Sequence, residues 1–187
     1  MLTTWRRVRS SWVLGKQSDP LGRARDLVVN PDTGEIPALW VNTPDGMRLL
    51  AVSEIQRWHS QEIFVESPID LILPEEFPRL SDVLKNEVPI IGAPVFEMLE
   101  TPKKIGHCIN FSLETRSPRL LSIETQKGWL FWEQKRIIPR IKIEEINSQG
   151  IFVTSTLLTE KEEAAQDAKI LKSAISDAKT SQSFRTK

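Results

Sequence analysis

Two histidines and one cysteine are the whole stock of imidazole and thiol in this chain, and two of the three are neighbours in "GHC", residues 106–108. His107 and Cys108 could supply two zinc ligands, but a zinc site takes about four, and no second pair of ligands stands elsewhere. A Cys–His nucleophile needs the two side chains to converge. Neighbours on a strand point to opposite faces, so adjacency argues against that pairing. Both residues are expected to be ordinary strand positions. The acid pairs Glu75-Glu76 and Glu144-Glu145 read as solvated faces, because nothing local would bury a carboxyl and raise its pKa. Neither G-x-x-x-x-G-K-[ST] nor G-x-G-x-x-G occurs, so no phosphate cradle is expected. The sequon "NFS", residues 110–112, lies in a strand pattern and reads as chance. No catalytic residue, metal site or cofactor is expected.

Binding chemistry is better represented. The chain has six tryptophans and no tyrosine. In "GWLFWE", strand alternation puts Trp129 and Phe131 on one face and Trp132 on the other. Either the outward aromatics pack on a neighbouring element, or they form a patch that docks a partner. Trp5 and Trp12 stand beside Arg6, Arg7 and Arg9. Aromatics among arginines can stack on single-stranded nucleic acid, or the segment can be a solubilising N-terminus. Arg23, Arg25 and the basic run "QKRIIPRIK", with Lys135 and Arg136, extend the nucleic-acid alternative.

The total charge is balanced, with 25 basic and 25 acidic residues, which gives no broad electrostatic drive toward nucleic acid or an anionic membrane. The distribution is uneven. Residues 1–25 carry Arg6, Arg7, Arg9, Lys16, Arg23 and Arg25 against Asp19, whereas residues 54–100 are rich in acids. A single cysteine excludes an internal disulfide and fits a reducing compartment. No apolar run approaches the roughly 18 residues of a membrane span. The basic start lacks the apolar core, roughly 7–15 residues, of a secretory signal. A cytoplasmic protein is the expectation.

Positioning these residues are short strands. "RARDLVVN" is followed by "NPDTGE", where Pro31, Asp32 and Gly34 spell a turn, and then by "IPALWVN". "TPDG" turns again into "MRLLAV". "SEIQRW" reads as one helical turn and "EIFVE" as a closing strand. Leu27, Val29, Ile36, Leu39, Val41, Leu50, Ile55, Ile63 and Val65 are the predicted core. Strands this short and evenly spaced predict a small barrel, which removes exposed edges. A connector, 68–88, holds a short helix at about 79–86, broken by Pro68, Pro74 and Pro78. The order then repeats. "SQEIFVES", residues 60–67, returns as "SQGIFVTS", residues 148–155, and Gly106 falls under Gly22. "IIPRIKIEEI" sits where "AVSEIQRW" sat, and "RLLSIET" is predicted to pair with "WLFWEQ". From Thr159 the capping box "TEKE" opens a helix whose apolar stripe includes Leu171 and Ile175, suited to a partner or to packing on its own domain. Residues 180–187 are expected to be disordered.

"LGRARDLVVNPDTGEIPALWV" resembles the start of a PRC-barrel domain, a module found in photosynthetic reaction centres and in the ribosome-maturation factor RimM. The matching positions are Gly22, Asp26, Val28, Asn30, Asp32, Thr33, Gly34 and Leu39, followed by Ile55 and Ile63–Val65. The resemblance covers 12–67. Over 90–155 it rests on the internal repeat, because "LETRSP" lacks the turn glycine. The resemblance implies a non-enzymatic adaptor that binds a protein or larger assembly through its barrel surface.

The expected molecule is therefore mainly β, with two tandem small PRC-like barrels, a connector helix and a C-terminal helix. Its units are a basic segment 1–11, barrels 12–67 and 89–156 joined by 68–88, a helix 157–179 and a tail 180–187. The expected partner is a protein, met through Trp129, Phe131, Trp132, Leu171 and Ile175. RNA or the ribosome is the alternative, met through Arg6, Arg7, Arg9, Arg23, Arg25, Lys135 and Arg136.

Overall fold

The computed structural model describes residues 1–59, 61–128 and 134–155. In chain order these form β1 (Leu2–Thr4), α1 (Trp5–Val8), β2 (Trp12–Leu14), β3 (Pro20–Val28), β4 (Ala38–Thr43), β5 (Gly46–Ala51), β6 (Ile55–Trp58), β7 (Glu62–Val65) and β8 (Leu71–Ile72). The one-turn helix α2 (Ser81–Lys85) precedes β9 (Pro94–Met98), β10 (Lys103–Glu114), β11 (Arg119–Lys127), β12 (Gln134–Pro139), β13 (Ile143–Asn147) and β14 (Gly150–Thr154). The chain is mainly β, as the turn-punctuated apolar runs require.

Two curled half-barrel sheets result, and they share one plan. The first runs β6-β7-β2-β3-β4-β5-β8 and the second β13-β14-β9-β10-β11-β12, with β1 also on β10. Each has one parallel contact at the same place, β2 with β7 and β9 with β14. Val13 is flanked by Gly22 and Ile63, and Val95 by Gly106 and Ile151. Bulges also coincide. One interrupts Ala24/Asp26 and its counterpart Cys108/Asn110; another interrupts Ile55/Arg57 and its counterpart Ile143/Glu145. A bulge bends its strand and increases the local twist, so matching bulges curl both sheets alike. The eight-letter repeat contains the strand that makes this parallel contact, β7 beside β2 in one sheet and β14 beside β9 in the other.

The expected turn forms at residues 30–35. Asn30 Oδ1 accepts from the backbone N–H of Asp32 at 3.0 Å and of Thr33 at 3.3 Å, and Gly34 takes φ 74°. This turn meets its counterpart in the second sheet. The N–H of Ile36 donates to the Pro118 carbonyl (2.9 Å), and that of Leu120 donates to the Gly34 carbonyl (2.7 Å). Arg140 clamps the junction, donating to the carbonyls of Ile143 (2.7 Å) and Asp32 (3.0 Å).

Three expectations change. "SEIQRW" is not one helical turn: only Val52–Glu54 is helical, and Ile55–Trp58 is a strand, because its half-buried Ile55 and Trp58 pair with β7 across the bulge. "RLLSIET" belongs to β11, whose described partner is Gln134–Pro139, in register from Lys127↔Gln134 to Ser122↔Pro139; residues 129–133 of "WLFWEQ" lie outside the described residues. Ile137 and Ile138 give that run its strand character, and the helical turn follows at Arg140–Lys142. The basic segment 1–11 does not stand apart. β1 extends along β10 at Ser112–Glu114, beyond the Lys103–His107 stretch that β9 covers. Trp5 (7% exposed) and Val8 (1%) are core residues. Finally, the sheets do not enclose separate cores. One buried cluster takes Val13, Leu39, Val41 and Ile63 from the first together with Val95, Phe111, Ile123 and Ile151 from the second. A half-barrel leaves its concave apolar face open, and each sheet covers the other's.

All of the predicted core residues are buried except Ile55, which packs against the cluster half-buried. The connector docks on the outside of the first sheet. β8 extends β5, and Leu80, with Phe77, Val83 and Leu84, covers Val28, Ala38 and Leu49. The predicted C-terminal helix and tail lie outside the described residues.

Candidate functional site: the outer face of the first sheet

Cross-strand partners share a face of a sheet. The register therefore lines up Glu62, Trp12, Arg23, Asn42 and Met47 across β7, β2, β3, β4 and β5. All five are exposed. The Arg23 guanidinium lies 3.8 Å from the centroid of the Trp12 ring and donates to the Ser10 carbonyl at 3.5 Å. A cleft of about 430 Å³ opens beside this pair, walled by Trp12, Pro20, Leu21, Gly22, Asn42 and Pro44.

α1 borders the same ground. The N–H of Ala24 donates to the Ser11 carbonyl (2.9 Å), and the Ser11 hydroxyl donates to the Arg7 carbonyl (3.0 Å). The structure thus sets the end of α1 and Ser10–Ser11 beside Arg23 and Ala24 of β3, and Arg6, Arg7, Arg9, Arg23 and Arg25 are all exposed. Arg25 occupies the bulge of β3, and Arg9 lies 5.0 Å from the Trp5 ring centroid. Lys135 and Arg136 are exposed on β12 and alternate between its two faces. In register, Asn110, Glu124 and Ile137 form one row, and Asn110 Oδ1 accepts the Arg6 backbone N–H at 3.3 Å. β12 therefore lies about 10 Å, two strand spacings, from the residue that holds Arg6. Trp129, Phe131, Trp132, Leu171 and Ile175 lie outside the described residues.

A second cleft, of about 300 Å³, opens where the connector meets both sheets, and Asp26 and Glu87 line it with Leu27, Val88, Ile90 and Phe111. Each carboxylate has a tryptophan donor. The indole N–H of Trp5 reaches Asp26 Oδ1 at 2.7 Å, and that of Trp40 reaches Glu87 Oε1 at 3.1 Å. Burial holds the Glu87 carboxyl above its usual value; the Trp40 hydrogen bond opposes this and the charge of Asp26 adds to it. A raised carboxyl keeps its proton in the folded chain at a pH where the unfolded chain has released it. Stability should therefore fall as pH rises through the window just above the ordinary glutamate value, and the loss is complete above the folded pKa. Glu87→Gln keeps an acceptor for Trp40 without the charge. Urea midpoints between about pH 4 and 7 should then lose that part of their downward slope.

The histidine–cysteine pair behaves as strand residues. Cys108 is buried, its thiol donates to the Asn110 carbonyl, and burial pushes its pKa up to about 12. His107 is exposed and its Nδ1 lies 3.1 Å from the Gly92 carbonyl. Among the described residues, no group of three or more His, Cys, Asp or Glu side chains is placed to hold a metal ion. No described helix is long and apolar enough to cross a membrane.

Neither a protein-family model nor a curated protein matches this chain. The residues that sequence reading missed are Asn42, Met47 and Glu87. Asn42 and Met47 flank the "TPDG" turn, and counting back from it would have set them opposite one another. Glu87 reaches Trp40 across 47 positions, a contact that no local pattern encodes.

Proposed function

We propose that the protein is a non-enzymatic adaptor of tandem PRC-barrel type that binds a protein partner or larger assembly through its sheet surfaces. Large apolar side chains projecting outward, where the shared core has no use for them, carry this reading. Ile137 is 75% exposed, Trp12 40% and Met47 41%. The resemblance of residues 12–67 to PRC-barrel domains, and the matching order of the second sheet, supply the family part of the proposal. The test is affinity capture on the full chain from lysate, followed by reconstitution with the purified partner. The expected result is a defined protein complex that Ile137→Asp or Met47→Asp weakens. A protein that captures nothing reproducible, or whose capture both variants leave unchanged, is not this adaptor.

The second reading is an RNA- or ribosome-associated assembly factor, favoured by the contact of α1 with β3, two elements that carry the exposed Arg6, Arg7, Arg23 and Arg25, with Arg9 at the α1 C-cap. Its mark would be co-purifying RNA, lost steeply as salt rises.

A further inference from the structure

We propose that the seam between α1 and β3 docks an acidic, extended segment of a protein partner, with the adjoining Trp12 cleft taking an apolar side chain of that segment. The inference rests on the adaptor reading and names the class of partner and its place.

Charge complementarity is the first argument. Arg9, Arg23 and Arg25 are exposed, and none forms an ion pair with a described carboxylate. Two of the guanidiniums are already oriented. Arg9 lies over Trp5 and Arg23 over Trp12, so both are held against a ring; Arg23 gives one N–H to the Ser10 carbonyl and keeps the others for a ligand. An oriented guanidinium suits a carboxylate, which it can meet with two parallel hydrogen bonds.

The cleft supplies the anchor. Its walls include Pro20, Leu21 and Pro44, and Asn42 adds an amide. The indole N–H groups of Trp5 and Trp40 go to carboxylates. That of Trp12 has no acceptor among the described residues and is available to a peptide carbonyl. The fold itself does not require this pair. In the second sheet the register sets Pro94 and His107 where the first has Trp12 and Arg23. The same strands form there without the aromatic–cation stack.

Two observations favour a peptide over nucleic acid. Bases need bare ring faces to stack on, and each ring of this seam already carries a guanidinium on one face. Glu62 also stands beside Trp12 on β7, so the basic ground ends at the cleft. Glu62 gives the segment a direction, with its acids over Arg23 and Arg25 and its apolar residue over Trp12.

The test uses fluorescence anisotropy on the full chain with three labelled probes. These are a glutamate-rich peptide with a Leu-Pro anchor, the same peptide with glutamine for glutamate, and an oligouridylate of equal charge. The acidic peptide should bind best, and its affinity should fall about tenfold or more in the doubly substituted Arg23→Gln, Arg25→Gln chain. Arg116→Gln, in the turn between β10 and β11, should leave it unchanged. Unaltered urea midpoints establish that the variants are folded. Equal binding of the glutamine peptide, tighter binding of the oligouridylate, or no loss in the double variant would overturn the proposal. If the acidic peptide fails to bind while a captured partner still holds to the double variant, this docking site is wrong and the adaptor reading stands. If capture fails as well, both are wrong.

Discussion

Gly106→Ala should cost about 2–4 kcal/mol and should unfold both sheets together. A Cβ at Gly106 would lie 2.5 Å from the Gln126 carbonyl oxygen and 2.9 Å from its carbon. Those are backbone atoms of the paired strand, so β10 and β11 must part to make room. Gly22 is the same position in the first sheet, and a Cβ there would lie 2.6 Å from the Asn42 carbonyl oxygen and 2.9 Å from Val41 Cγ1. Gly22→Ala should therefore cost a similar amount for the same reason. Cooperativity follows from the core. Val41 and Ile63 share one apolar cluster with Ile123 and Ile151, so neither sheet can be exposed without uncovering the other. Urea denaturation checks this. The fluorescence of tryptophans in the first sheet and the far-ultraviolet circular dichroism of the whole chain should give one midpoint, and Gly106→Ala should move both readings equally. Tryptophan fluorescence that holds while half the dichroism is lost would mean two independent units.

Those glycines also mark what could be read in advance. Gly22 and Gly106, the "NPDTGE" turn and the recurrence of "IFV" are local features, and local features set strand order and register. The predicted core residues follow from alternation and lie where alternation places them. The lapses share a cause. "SEIQRW" has the spacing of a helical turn, but its bulge lets Ile55 and Trp58 sit three apart on a strand. A bulge is invisible to a period-two reading. "RLLSIET" was expected to pair with "WLFWEQ", and the described register pairs β11 with Gln134–Pro139. Two closed barrels were expected because each repeat contains the strands for one. Whether a curled sheet closes on itself or on a second sheet depends on contacts between residues far apart in sequence, such as Ile36 with Pro118. The outer row at Trp12 was half legible: the residues beside arginine were recognisable, but the stack on Arg23 depends on β2–β3 register.

The N-terminal segment shows the same limit most sharply, and it yields the second large effect. Trp5→Ala should destabilise the chain by about 3–5 kcal/mol, too large a cost for a solubilising arm but an ordinary one for a large core residue. Trp5 is 7% exposed within the shared cluster, and its indole N–H bonds Asp26 at 2.7 Å. Removing the ring leaves a cavity and takes the hydrogen bond from a half-buried carboxylate. The position of α1 explains the size of the effect. Asp26 takes the Trp5 indole and Asn110 takes the Arg6 backbone N–H, and these two acceptors follow the matching bulges of β3 and β10. α1 is thus a wedge gripped at equivalent points by both sheets, while β1 adds a strand beside Ser112–Glu114. Trp5→Phe separates the two contributions. It retains most of the buried ring and loses the N–H, so about 1–2 kcal/mol should be lost. Asp26→Asn keeps an acceptor and should cost less than Trp5→Ala. Urea midpoints of the three variants give the ranking directly. If Trp5→Ala moved the midpoint no more than Asp26→Asn, the first residues would be an appendage and the two sheets would hold each other without a wedge.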